Sequence, residues 1–108
     1  MLKRFTQTAT LVLVAFIANQ TSFAQASGAD TFKTKCAMCH GDDGLGNTAM
    51  GKALGIQSYK DPAVIKLSNA ELTAIIKNGK NNKMPAFNGQ VTDSQIKDLL
   101  QYIHKLQK

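Results

Sequence analysis

The residues best suited to chemistry in this chain are two cysteines followed directly by a histidine. They stand together as Cys36-Ala-Met-Cys39-His40, and the 108 residues contain no other cysteine. Two thiols at this spacing can add to the two vinyl groups of one haem, and the adjacent histidine is then placed under the iron as an axial ligand. The motif therefore predicts one covalent haem c, attached at Cys36 and Cys39 and ligated by His40.

Two other uses of the cysteine pair are possible on the motif alone. A redox disulfide of the thioredoxin type normally opens a helix after a strand in a βαβ pattern, and we predict no convincing strand in this sequence. A zinc site needs about four ligands, and the only further histidine is His104. Haem attachment is the interpretation that the residues favour.

A second iron ligand must be a methionine or histidine that reaches the other side of the ring. The candidates beyond the N-terminal segment are Met38, Met50, Met84 and His104. Met38 lies inside the motif and cannot cross the ring, whereas Met50 in a glycine-rich loop and His104 near a helix end favour packing or structural roles. Met84 precedes Pro85, which fixes the backbone next to the sulfur. Met84 is therefore the favoured ligand.

Two well-marked helices must flank the Met84 loop. Ser68 with Glu71, and Thr92 with Gln95, have the spacing of capping boxes, and Gly79 is placed to end the first helix. The second helix carries one apolar stripe that continues to the C-terminus: Ile96, Leu99, Leu100, Ile103 and Leu106.

The segment around the motif has weaker signals. A short helix is predicted from Asp30 to about Met38, running into the motif. Five glycines between residues 41 and 55 predict a loop, because glycine disfavours the interior of helices and strands. Pro62 after Asp61 allows a short helical turn.

The N-terminal residues have the pattern of a cleavable secretory signal. Lys3 and Arg4 precede an apolar stretch over 11–18 that is too short to span a bilayer, and small residues allow cleavage after Ala24 or after Ala26. An uncleaved membrane anchor is the alternative. We expect a signal peptide over 1–24, a cytochrome domain over 25–108 and a periplasmic or otherwise exported location.

Composition limits the remaining functions. The formal net charge is +6, but the lysines are spread along the chain without interleaved aromatics, which does not suggest a nucleic-acid-binding protein. A domain of this size gains little stability from one apolar core, so a covalent haem would supply much of the centre of the fold. We expect a monomer that is not an enzyme.

The chain resembles the class I cytochrome c family, and its small bacterial members such as cytochromes c6 and c553 most closely. Phe32 and Tyr102 are similar to the aromatic pair where that family's terminal helices cross, and Lys83-Met-Pro-Ala-Phe87 is similar to its axial-methionine loop. The resemblance implies an all-α fold of three to four short helices around one haem. Ala49 stands where many relatives have a proline whose carbonyl accepts the histidine ring proton, which leaves that acceptor open.

The resemblance and the motif together imply a function. Iron held by His40 and Met84 has no open site, so the expected protein is a soluble carrier of single electrons between periplasmic or membrane-bound redox partners. The alternative is a haem-based sensor or gas-binding protein with a displaceable Met84. Lys77, Lys80 and Lys83 are the candidate docking residues for an acidic partner.

Overall fold

The computed structural model describes residues 26–108, which fold into six helical segments. The predicted signal over 1–24 lies outside these residues. The segments are α1 (Gly28–Lys35), α2 (Ala37–His40), α3 (Ala49–Leu54), α4 (Pro62–Ile65), α5 (Asn69–Asn78) and α6 (Asp93–Leu106). Extended pairing within residues 26–108 is limited to two isolated bridges, so the predicted all-α class is confirmed. None of the described helices is long and apolar enough to cross a membrane.

The two capping boxes form as predicted. The Ser68 hydroxyl accepts from the Glu71 amide while the Glu71 carboxylate accepts from the Ser68 amide, and Thr92 and Gln95 make the same exchange. These bonds satisfy amides that the first helical turn leaves without partners. Gly79, at a φ of 76°, follows the last residue of α5. The start of α5, its end and the start of α6 were therefore readable from the sequence.

The core joins α5 and α6. The predicted stripe of α6 is buried from Ile96 through Ile103, and Leu72 and Ile76 of α5 pack against it together with Val91. Met84 and Phe87 are partly buried against this same cluster. The loop between α5 and α6 is thus anchored in the core on the side where Met84 lies.

Helices α1 and α6 cross at close range. Gly28 lies against the backbone of Asp98, where a Cβ on Gly28 would come within 2.3 Å of the carbonyl oxygen. Phe32 is fully buried, with its ring centroid 5.1 Å from that of Tyr102 and 6.2 Å from that of Tyr59. The pairing of Phe32 with Tyr102 that the family resemblance implied is present.

Two of the predicted boundaries differ from the structure. The first helix begins at Gly28, capped by Ser27, and is interrupted at Cys36 before α2 starts. The expectation of a continuous loop over 41–55 is wrong, because α3 occupies Ala49–Leu54. Thr48 caps α3 by accepting from the Gly51 amide, and Gly55 ends it in the left-handed conformation. These local signals outweigh the helix penalty of Gly51, which is about 1 kcal/mol.

Candidate functional site

The cysteine and histidine motif is held by the backbone of the segment that follows it. The His40 carbonyl accepts from the Gly46 amide at 2.7 Å, and the Cys39 carbonyl accepts from the Thr48 hydroxyl at 2.9 Å. Gly51 lies so close that a Cβ there would be 2.4 Å from the Cys39 carbonyl oxygen. The glycine-rich segment therefore wraps around the motif and fixes its backbone.

The side chains of Cys36 and Cys39 are half-buried. Burial raises the pKa of Cys36 to about 11, and the nearby charge of Lys35 opposes that rise. Cys36 also acts electrostatically on Tyr59, whose pKa rises above its usual range chiefly because the phenol is buried. Cys36 therefore lies near both Cys39 and Tyr59.

An apolar cavity of about 420 Å³ lies between the motif and the α5–α6 core. Its volume falls in the range of about 300–1,000 Å³ typical of small-molecule and cofactor sites. Half of its lining residues are aliphatic side chains from the segment between α3 and α6: Leu54, Ile56, Val64, Leu67, Leu72, Ile75, Ile76 and Ile103. His40 and Met84 both line this cavity, whereas Cys36 and Cys39 are not among its lining residues.

His40 is held against an aromatic ring. The imidazole stacks on Tyr59 with a centroid separation of 4.8 Å and an interplanar angle of 27°. Burial lowers the pKa of His40, which favours the neutral imidazole that binds metals. The Nδ1 atom is buried and has no hydrogen-bond partner within residues 26–108. Within the part of the chain that the structure describes, the acceptor for the His40 ring proton therefore stays open, as the sequence left it at Ala49.

Tyr59 is the residue of this site that sequence reasoning missed. Its ring contacts both His40 and Phe32, and it lines the cavity. The Tyr59 amide donates to the Gly44 carbonyl at 2.9 Å, and a Cβ on Gly44 would meet the Tyr59 ring at 2.5 Å. The available signal was an aromatic residue outside any periodic segment in a chain that has few aromatics.

The other candidate iron ligands lie elsewhere. Met38 is 76% exposed and Met50 is 45% exposed, and neither lines the cavity. His104 lies between Asn69 and Gln107, with Nε2 2.7 Å from the Asn69 Oδ1 and Nδ1 2.8 Å from the Gln107 Oε1. His104 thus links the start of α5 to the end of α6, the structural role that the sequence favoured.

The residues present fit a haem. The cavity is mostly apolar, as a macrocycle requires, and both Met84 and His40 line it. Histidine nitrogen and methionine sulfur are the axial donors of electron-carrying haem proteins.

The fold and this site together define a class I c-type cytochrome, and comparisons with known proteins agree. The family model described as cytochrome c oxidase, cbb3-type, subunit III matches residues 23–103. The chain belongs to this family of electron-carrying cytochromes, and its cofactor is covalently bound haem c.

Two relatives and one solved structure give the range of similarity. The chain is 36% identical over 86 residues to the cbb3-type cytochrome c oxidase subunit FixP of Azorhizobium caulinodans, covering 77% of this chain and 27% of that protein. It is 33% identical over 109 residues to cytochrome c6 of Thermostichus vulcanus, covering 95% and 91%. The KustC0563 c-type cytochrome superposes with a TM-score of 0.70 at 26% identity, covering 77% and 100%. The chain thus spans about a quarter of the oxidase subunit but most of the cytochrome c6.

Proposed function

We propose that this protein is an exported carrier of single electrons, with one haem c attached at Cys36 and Cys39 and held by His40 and Met84 as axial ligands. One observation carries the proposal. His40, next to the attachment cysteines, and Met84, 44 positions further along the chain, line the same apolar cavity. The similarity to cytochrome c6 over nearly all of both chains supports the carrier role.

The surrounding residues suit a carrier. Bound haem supplies a one-electron couple, and Met/His ligation raises its reduction potential. The hydrogen bonds to the Cys39 and His40 carbonyls fix the motif side, and the core packing of Met84 fixes the other. A rigid ligand set changes little between oxidation states, which is what fast electron transfer requires of the protein.

Replacing the sulfur tests the ligand assignment. In Met84→Ala we expect the haem to stay covalently attached, while the weak red-edge sulfur-to-iron absorption band of the oxidised protein disappears. The reduced variant should bind carbon monoxide, because a coordination position has opened. The reduction potential should fall, because a soft thioether favours ferrous iron.

Met50→Leu is the matched control, because Met50 is the nearest thioether in sequence to the motif outside it. That variant should keep the band and exclude carbon monoxide. A band that survives Met84→Ala and vanishes in Met50→Leu contradicts the assignment. Carbon monoxide binding to the unaltered reduced protein would favour the alternative function, a gas-binding cytochrome with a displaceable Met84.

The folded chain distinguishes Lys77 from the other two candidate docking lysines. Lys77 Nζ lies 2.7 Å from the Asp93 carboxylate, so its charge is already paired within the molecule. Lys80 and Lys83 are exposed and line the same cavity as Met84. We therefore assign encounter with an acidic redox partner to Lys80 and Lys83, and we give Lys77 a structural role.

Reaction rates at low salt distinguish these lysines. With a negatively charged redox partner, Lys80→Gln with Lys83→Gln should lower the association rate severalfold, and Lys77→Gln should lower it less. Raising the ionic strength should remove the difference, because exposed charges are screened over about 8–10 Å at moderate salt. A rate that is independent of salt, or an equal loss in Lys77→Gln, would argue against this docking surface.

The location and partners follow from the N-terminal pattern and from the relatives. We propose that residues 1–24 direct export and are removed, leaving residues 25–108 as the cytochrome domain. The similarity to oxidase subunits supports a membrane-bound redox complex as one partner. An intact mass equal to residues 25–108 plus one haem is the expected result, and a mass that retains residues 1–24 would indicate an anchored protein.

A further inference from the structure

We infer that Asn81 and Asn82 are positioning residues for Met84, because their backbone conformation shapes the loop that holds the sulfur at the haem cavity. The inference rests on the proposed function, in which Met84 binds the iron. Asn81 and Asn82 are both exposed, and their role is to keep that ligand in place.

Asn81 and Asn82 share an unusual backbone conformation. Asn81 and Asn82, at φ of 54° and 53°, are the non-glycine residues with positive φ within residues 26–108. The Lys83 amide donates to the Lys80 carbonyl at 3.0 Å across them. Two consecutive positive φ angles under such a bond are the signature of a type I′ turn. Asparagine and glycine favour this turn because they tolerate the left-handed region.

The backbone of Met84 is hydrogen-bonded to Lys80, the residue that begins the turn. The Met84 amide donates to the Lys80 carbonyl, and the Lys80 amide donates to the Met84 carbonyl, each at 3.1 Å. The turn and this pair of bonds make one closed loop from residue 80 to residue 84. The direction in which the chain leaves Asn82 therefore determines where the Met84 backbone lies.

The loop is held against α5 on both sides of the turn. The amides of Phe87 and Asn88 donate to the Ile76 and Lys77 carbonyls in the last turn of α5, at 3.0 and 3.2 Å. On the other side, a Cβ on Gly79 would lie 2.4 Å from the Met84 carbonyl oxygen. With both flanks held against α5, the conformation of the turn contributes to where the Met84 backbone lies.

The competing explanation is that packing alone holds Met84. Met84 and Phe87 both lie against the core cluster, and packing of this kind is indifferent to the residue type in the turn. The two explanations differ in what they allow at positions 81 and 82. If the turn positions the ligand, residues that accept positive φ should be interchangeable there, and β-branched residues should release Met84.

The experiment compares the oxidised holoprotein with two double variants during heating. The temperature at which the red-edge sulfur-to-iron band disappears is measured beside the temperature at which helical circular dichroism is lost. Asn81→Gly with Asn82→Gly should lose the band within a few degrees of the unaltered protein. Asn81→Val with Asn82→Val should lose it at a temperature lower by roughly 10 °C or more. This band should disappear well before the helices do, and the reduced variant should then bind carbon monoxide.

Asn88→Val is the matched control, because it places the same β-branched residue in the same loop at a position without positive φ. It should keep the band to the original temperature. If the double valine variant does not accumulate as holoprotein, Asn81→Ala with Asn82→Ala replaces it, with the same ordering expected. The inference is overturned if the valine or alanine pair keeps the band as the unaltered protein does. It is also overturned if the glycine pair fails equally, because the side-chain amides would then be the cause.

Failure of the proposed function has a different result. An unaltered protein without the band, or a band that persists in Met84→Ala, removes Met84 as the ligand and this inference with it. A band that depends on Met84 but is insensitive to the turn leaves the proposed function intact and removes the positioning role alone.

Discussion

A variant with both attachment cysteines replaced, Cys36→Ser with Cys39→Ser, is expected to lose its haem completely and to fail to accumulate as a folded protein. The physical reason is that the haem covers apolar side chains in the centre of the fold. The aliphatic walls supplied by α3 to α6 face a cavity of about 420 Å³, and without a macrocycle that apolar surface gains no burial. At about 25 cal/mol per Å² of apolar area, such a loss removes much of the stability of a domain this small.

The measurement uses protein expressed with the haem-attachment machinery in an oxidising compartment. Haem should remain with the unaltered chain through denaturing gel electrophoresis and acid-acetone extraction, and the double variant should carry none. Met38→Leu, within the same motif but exposed, is the control and should attach haem normally. Haem that acid-acetone removes from the unaltered protein would contradict covalent attachment at these two cysteines.

The variants that lack one cysteine show how much each thiol contributes to haem attachment. Each single variant should retain one possible bond to the haem. Its yield of attached product should therefore be lower than that of the unaltered chain. The Cys39 carbonyl is already fixed by the Thr48 hydroxyl, whereas Cys36 lies at the break between α1 and α2. Loss of attachment in only one of the two single variants would show which thiol the protein places first.

Part of this fold was predictable because its signals are local. The capping boxes at Ser68 and Thr92 need only residues three positions apart, and Gly79 needs only the helix end that it follows. The apolar stripe of α6 repeats within a single element, so periodicity alone identified its buried face. Each of these signals is independent of the haem.

Other features depend on contacts between distant segments, which no local pattern encodes. The glycine content predicted a loop where α3 forms. The prediction was wrong because Gly51 allows a close approach to Cys39 and is not there for flexibility. Tyr59 belongs to no periodic segment, yet its ring stacks on His40. The pairing of Lys77 with Asp93 joins α5 to α6, and no local pattern predicted it.

The candidate site also contains some features that the sequence predicts locally and others that it does not. Haem attachment at Cys36 and Cys39 is a prediction that the motif makes alone, because the spacing of these residues and His40 is itself the requirement for attachment. The choice of Met84 required elimination and a family resemblance, since a methionine before a proline is a weak signal alone. The turn at Asn81 and Asn82 was not predicted, because asparagine is common in loops and only the backbone angles show the left-handed pair.

The second large effect is expected at Phe32, in α1. Its side chain is fully buried, and its ring contacts those of Tyr59 and Tyr102. Phe32→Ala should lower the free energy of unfolding by about 3–5 kcal/mol, because a buried phenylalanine leaves a cavity that its neighbours fill incompletely. For a domain of this size that corresponds to a fall in Tm of more than about 10 °C.

Phe32→Leu is the control that separates the two contributions to this loss. It retains most of the apolar volume but removes the aromatic contacts, which add about 0.5–1.5 kcal/mol beyond area burial, so its Tm should lie between those of the unaltered protein and Phe32→Ala. Because Tyr59 links Phe32 to His40, the alanine variant should also alter the haem absorption spectrum before unfolding begins. Chemical denaturation of the holoprotein, followed by circular dichroism and by haem absorbance, measures both. Equal stability of Phe32→Ala and the unaltered protein would show that the covalent haem, and not the α1–α6 crossing, holds the N-terminal helix in place.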